Sequence, residues 1–200
     1  SAVQYAVDKG VLVVAASGNG FADSAPKWPA ASDLTLAVTS TDINNNVGLF
    51  AQRGEYIDIA APGVNILSTA LGGYKALNGT SMSAAYISGA AALLFSAQPT
   101  ITAVQVRDIL LRTATDLGTA GRDTTFGVGL VNLPAAFAEL FRLFPPSVTP
   151  TFISSGHIGE IAVGSTMTAA PNAKMQWYRC DSQGAADTKK PADCAEIKNA

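Results

Sequence analysis

Ser81 stands in "NGTSMSAAYISGAAALL", Asn78 to Leu94, where a Gly-Thr turn runs into a long stretch without a charged residue. A serine at the start of a helix has two uses. It can cap the helix by accepting from free backbone N–H groups, or it can attack a carbonyl carbon, provided a base takes its proton. The position suits the second use, because the first N–H groups of a helix lack intrahelical partners and the dipole is positive there. A negative oxygen forming beside Ser81 would be stabilised. Gly79 allows a tight turn and leaves the approach open. Behind it, Ala84, Ala85, Gly89, Ala90, Ala91 and Ala92 are small enough for close packing against neighbours. From this window alone both uses stand.

A second segment bears on the choice. "AASGNG", Ala15 to Gly20, ends the apolar run "VLVVAA", Val11 to Ala16, with a loop carrying Asn19. Functional groups of open α/β sheets gather at the carboxyl ends of strands, and an asparagine amide is a neutral donor for a developing oxyanion. The alternative is an ordinary Gly-Asn turn. The chain has a single histidine, His157.

These residues need a frame. "VLVVAA" reads as a strand covered on both faces, and "LTLAVTS" and "YIDIAAPG" as further strands closed by turn residues. Helices are expected over about Ser81 to Gln98 and in "TAVQVRDILLRTA", the latter with Val104, Ile109, Leu110 and Leu111 on an apolar face and Arg107 and Asp108 outward. Alternating strands and helices predict an α/β domain with a mostly parallel sheet and helices on both faces. Three prolines in "LFPPSVTPT" mark a boundary, giving a domain over 1–144, a linker over 145–151 and a β-rich tail over 152–200. The composition, 48% hydrophobic and 14% charged, is that of a chain with a large core, and a net charge of -2 gives no reason to expect nucleic acid or an anionic membrane. The uncharged stretch falls short of the roughly 20 apolar residues of a membrane span. The first residues are already helical in pattern, no signal-peptide core precedes them, and the last stop without a terminating signal, so the chain reads as an internal piece of a longer protein.

The segments "VLVVAASGN", "YIDIAAPGVNILST", "YKALNGTSMSAAYISGAAALL" and "TFGVGLVNLPAAF" occur in the order, and at about the spacings, of the C-terminal half of subtilisin-like serine proteases. The resemblance covers residues 1 to about 140. It implies that Ser81 is the acylated nucleophile, that Asn19 is the side-chain donor of the oxyanion hole beside the Ser81 N–H, and that Ala16, Ser17, Gly18 and Thr80 border the bound substrate. It also implies a cis bond before Pro29 in "WPA". Tyr86 and Ala85 stand where such proteases usually carry His and Pro, which predicts altered packing only. Lys27 precedes "WP", where many such proteases carry a small residue at the floor of the specificity pocket. It either biases that pocket towards acidic or polar side chains or is simply solvated. The catalytic aspartate and histidine of such proteases precede the serine. No histidine does so here, and His157 has the wrong order. Asp23, Asp33, Asp42 and Asp58 are poor candidates for the triad. Asp58 matches a weak-cation position of some relatives, yet one carboxylate is too little for a metal, so no metal ligand is assigned, although the resemblance admits structural calcium in the intact protein. The chain alone is then expected to lack peptidase activity and to leave a sheet edge open.

Cys180 and Cys194 are wrongly spaced for zinc. They are either two free thiols or a disulfide, which would place the protein in an oxidising compartment. "MQWYRCDSQGAADTKKPADCAEIKNA" is similar to a motif of bacterial immunoglobulin-like modules, which implies a partial β-sandwich with Trp177 packed near a Cys180–Cys194 bridge, acting as a spacer or as a contact to cell wall or polymer. Three readings follow: a secreted endopeptidase acting on protein or peptide, a non-catalytic scaffold of the same fold, or a cell-surface adhesion protein.

Overall fold

The computed structural model describes residues 1–145, 178–180 and 194–196. Two units are distinguished, Ser1–Leu140 and Phe141–Ala200. The first begins with α1 (Ala2–Asp8), capped by the Ser1 hydroxyl accepting from Gln4 N. Three parallel strands follow, β1 (Val14–Ala16), β2 (Leu36–Thr41) and β3 (Ile59–Pro62), in the spatial order β1-β2-β3. All six residues of β2 are buried, as befits the middle strand of a sheet covered on both faces. The register pairs Val14 with Leu36 and Val38 with Ile59. The outer edge of β3 is met by the segment around Leu130, where Ala60 N donates to Gly129 O and Val131 N to Ala60 O. Among the described residues no strand pairs with the other edge of β1.

The strict alternation of strands and helices is not what the chain adopts. The connections β1 to β2 and β2 to β3 contain no helix. They are loops rich in Gly, Pro, Ser and Asn, which favour turns over helical turns, and the first of them carries Asn19 and Lys27. An antiparallel hairpin, β4 (Ile66–Ala70) and β5 (Gly73–Leu77), then leads into α2 (Thr80–Ala97). This hairpin is not expected from the sequence reading above.

Helix α2 buries Thr80, Ser83, Ile87, Ala90, Ala91 and Leu94, a stripe at three- and four-residue spacing, against β1, β2 and β3. The Ser83 hydroxyl donates to Ala61 O at 2.9 Å and so ties the helix to β3. By length and composition α2 could cross a membrane, contrary to the expectation that it is too short. Its packing on the sheet marks it instead as a core helix. The small residues do not all pack closely: Ala85, Gly89 and Ala92 are exposed, and a side chain added at Gly89 would meet open space. Tyr86 is half exposed. An open apolar groove of about 570 Å³ runs between Val11–Val14 and the Ala91, Ala92 and Phe95 flank of α2.

Helix α3 (Ala103–Arg112) starts with a reciprocal cap, Gln105 N donating to Thr102 Oγ1 and Thr102 N to Gln105 Oε1. Its buried face is Val106, Ile109 and Leu110, while Val104 is 72% exposed. Ile109 and Leu110 are buried as expected, Val106 is buried in place of Val104, and Arg107, expected outward, reaches the buried Asp58. Helix α4 (Leu133–Leu143) buries Ala136 and Leu140. In the second unit, β6 (Tyr178–Cys180) pairs antiparallel with β7 (Cys194–Glu196), with Cys180 opposite Cys194 in backbone register. His157, Trp177, the 145–151 linker beyond residue 145 and the remainder of the immunoglobulin-like tail lie outside the described residues.

Candidate active site

The β1 strand ends at Ala16 and the chain turns through Ser17, Gly18 and Asn19 towards the start of α2. Ser17 N donates to Val38 O, continuing the sheet for one more residue, and the Tyr56 hydroxyl donates to Ser17 O at 3.0 Å. Gly18 has φ +116, a region that side chains disfavour. A methyl group placed there would collide with Gln52 Oε1 and lie 3.1 Å from Lys27 Cγ. Gln52 is fully buried, and its Nε2 donates to Ser24 O at 3.2 Å and Ala25 O at 2.6 Å. Its Oε1 has no hydrogen-bond partner among the described residues. Gln52 thus wedges the Gly18 strap against the following loop.

The decisive contacts lie between residues 18–19 and Thr80. Thr80 N donates to Asn19 Oδ1 at 3.0 Å, and the Thr80 hydroxyl donates to the same oxygen at 2.8 Å. Gly18 N in turn donates to Thr80 Oγ1 at 3.2 Å. A backbone N–H can only donate, so the atom facing Thr80 N is the carbonyl oxygen of the asparagine amide. The amide nitrogen is thereby turned the other way. It lies 3.3 Å from the point where a Cβ would stand on Gly79, and the Ser81 backbone nitrogen is 3.7 Å from that point. Met82 Sδ is also 3.3 Å from it. The absence of a side chain at Gly79 leaves a point that two nitrogens, Asn19 Nδ2 and Ser81 N, approach. Ser81 is exposed, in the first turn of α2, where the helix dipole is positive.

The structure thus brings Ser81, Asn19, Gly18 and Thr80 together. Thr80, expected at the substrate, is 1% exposed, with its N–H and hydroxyl occupied by Asn19 and Gly18. Ser17 is fully buried, with its Oγ unpartnered among the described residues, and Ala16 is half-buried. The Trp28–Pro29 bond is cis, as the WPA motif implied.

Residues 1–129 match the family model of the Subtilase family. The chain belongs to the subtilase family. It is 48% identical over 136 residues to Subtilisin BL of Lederbergia lenta, an alignment covering 68% of this chain and 49% of that protein. The Alkaline protease of Shouchella clausii is also 48% identical over 136 residues, with 68% and 35% covered. The Minor extracellular protease Epr of Bacillus subtilis is 41% identical over 135 residues, with 67% and 21% covered. The chain thus spans about half, or less, of the length of these subtilases.

Asp58 is 6% exposed and fully engaged. Its Oδ2 accepts from Ala37 N at 2.9 Å and from Arg107 Nη2 at 3.2 Å, and its Oδ1 accepts from Arg122 Nη2 at 3.1 Å. Two guanidinium groups on one carboxylate leave net positive charge, so a metal cation does not fit beside them. Among the described residues no cluster of three His, Cys, Asp or Glu could hold a metal. Sequence reasoning turned Arg107 outward and overlooked Arg122. The signal was present: an aspartate inside the apolar run "YIDIAA" requires a buried partner.

Proposed function

We propose that the intact protein is a serine endopeptidase in which Ser81 is acylated and Asn19 Nδ2, with the Ser81 N–H, stabilises the oxyanion. The observation that carries this is the double hold of Thr80 on Asn19 Oδ1, which turns the amide nitrogen towards the point that Gly79 leaves free. A substrate carbonyl oxygen placed there would accept from both donors as Ser81 Oγ bonds to the carbonyl carbon. The Ser81 proton passes to a base, the tetrahedral adduct collapses, and the amine leaves carrying a proton. Water then repeats the sequence on the ester. Such preorganised donors act on charge that develops only in the transition state, which is why they accelerate the reaction rather than merely tighten binding.

The base and its aspartate belong, on this reading, to chain upstream of Ser1. Two facts support that placement: no histidine precedes Ser81, and the alignment spans only about half the length of Subtilisin BL. Proteins or peptides are the substrates, and the protein acts outside the cell. An extracellular site agrees with the Minor extracellular protease Epr among the similar proteins, and there Cys180 and Cys194, opposite one another in the β6–β7 register, would pair as a disulfide. The tail is assigned the role of a partial immunoglobulin-like spacer. An active-site fluorophosphonate tests the assignment. The intact protein should be labelled at Ser81 and the 200-residue chain should not. Absence of label on the intact protein defeats the peptidase reading.

A further inference from the structure

We propose that Gln52 is a positioning residue for the oxyanion donor, holding the backbone on either side of Asn19 and so the direction of its amide; the proposal rests on the peptidase reading above. Asn19 is exposed and lies between two glycines, Gly18 and Gly20. Glycine has the widest backbone freedom of any residue, so this run does not hold itself still. Thr80 grips Asn19 at Oδ1 alone. A grip on one atom fixes the direction of Nδ2 only if the Asn19 main chain is fixed as well.

The second hold comes from residues 50–52. Gln52 N donates to Gly18 O at 3.1 Å, and Phe21 N donates to Phe50 O at 2.9 Å, so the chain is tied to this segment before and after Asn19. The Gln52 side chain reaches further along the loop, Nε2 donating to Ser24 O at 3.2 Å and Ala25 O at 2.6 Å. Two carbonyl acceptors on one nitrogen fix which end of the carboxamide is which. The Ser24 hydroxyl then donates back to Gly20 O, the residue after Asn19. The carboxamide also lies against both glycines, with Oε1 against Gly18 and Cδ 3.5 Å from the point where a Cβ would stand on Gly20. Gln52 is fully buried, where an amide is costly unless its hydrogen bonds are used, and every bond it donates goes to this loop. A reacting group misplaced by about 1 Å can cost on the order of 10² in rate, so a residue that never meets substrate can still act on kcat.

The test measures kcat and KM of the intact protein on one peptide, with rates normalised to the fraction labelled at Ser81 by a fluorophosphonate. Gln52→Met keeps the length of the side chain, loses both bonds from Nε2, and should lower kcat about tenfold with KM changed by less than about twofold. In an Asn19→Leu background the same substitution should lower kcat by less than about twofold, because the group it positions is gone. Ser24→Ala trims a half-buried hydroxyl, removes the bond to Gly20 O, and should repeat the pattern at about threefold. That second variant carries the test if Gln52→Met does not fold. Losses of equal size with and without Asn19, a change confined to KM, or an unchanged kcat would overturn the inference and leave the peptidase reading standing. No cleavage and no label in the unsubstituted protein would overturn both.

Discussion

Two polar clusters sit on the same three-stranded sheet and end in opposite conditions. Around Asp58, both carboxylate oxygens are taken by Ala37 N, Arg107 and Arg122. Around Asn19, Oδ1 is held twice by Thr80, while the amide nitrogen lies 3.3 Å from the point where a Cβ would stand on Gly79, near the exposed Ser81. The first cluster joins β2, β3, α3 and the 113–132 loop, and its hydrogen bonds are used within the protein. The second uses half of its hydrogen-bonding capacity to fix the direction of the other half. Asp58 is buried and its oxygens are spent on the fold, whereas Asn19 is exposed and only its oxygen is spent on Thr80.

Substitutions should separate the clusters by what they change. The largest effect is expected for Ser81→Ala in the intact protein, a loss of about 10⁶ in kcat with an unchanged melting temperature; this magnitude is the one established for the nucleophile of subtilisin itself and is adopted from it. Asp58→Ala should do the reverse. It leaves the buried Ala37 N–H and two partly exposed guanidinium groups without their partner and should lower unfolding free energy by about 1–3 kcal/mol, with kcat of the folded fraction retained, as read by denaturant titration beside active-site titration. A large fall in kcat with stability intact would break the comparison. Asn19→Leu should reduce kcat by about 10² to 10³, again the subtilisin magnitude, with little change in KM.

Smaller effects sharpen the picture. Thr80→Val removes the hydroxyl link between Gly18 N and Asn19 Oδ1 but keeps the Thr80 N–H, and should lower kcat by about tenfold, the worth of one hydrogen bond. The smallest effect is a pH dependence. Burial raises the pKa of Tyr56, whose hydroxyl donates to Ser17 O beside the strap. With the folded value above the unfolded one, the contribution is complete below the ordinary tyrosine range near about 10 and is lost as pH rises through the folded value. Alkaline unfolding should therefore soften in Tyr56→Phe, and identical pH profiles for the two proteins would contradict the assignment.

The parallel strands β1 to β3 and the helices α2 and α3 were legible in the sequence, and the connections between them were less so. Ser81 and Asn19 stood out because one opens an uncharged helical stretch after a glycine turn and the other follows an apolar run, and the structure brings the two close. The role of Thr80 was not, since a threonine before a serine has no pattern of its own; only its position under Asn19 reveals the clamp. The β4–β5 hairpin was missed although Gly72–Gly73 separates two short β-prone stretches, a turn signal. On α3, Ile109 and Leu110 were placed correctly, whereas Arg107 was not, because helical periodicity alone cannot tell that it has a buried carboxylate to meet. Helix α2 shows the opposite discrepancy: its sequence is apolar nearly all round, yet only one stripe of it is covered among the described residues.

The most direct measurement is a crystal structure of the intact protein inhibited by a peptidyl phosphonate. The account predicts a bond from Ser81 Oγ to phosphorus and a phosphonyl oxygen about 2.7–3.1 Å from both Asn19 Nδ2 and Ser81 N, occupying the volume next to Gly79. A phosphonyl oxygen turned away from Asn19, or an adduct on any other residue, would contradict it.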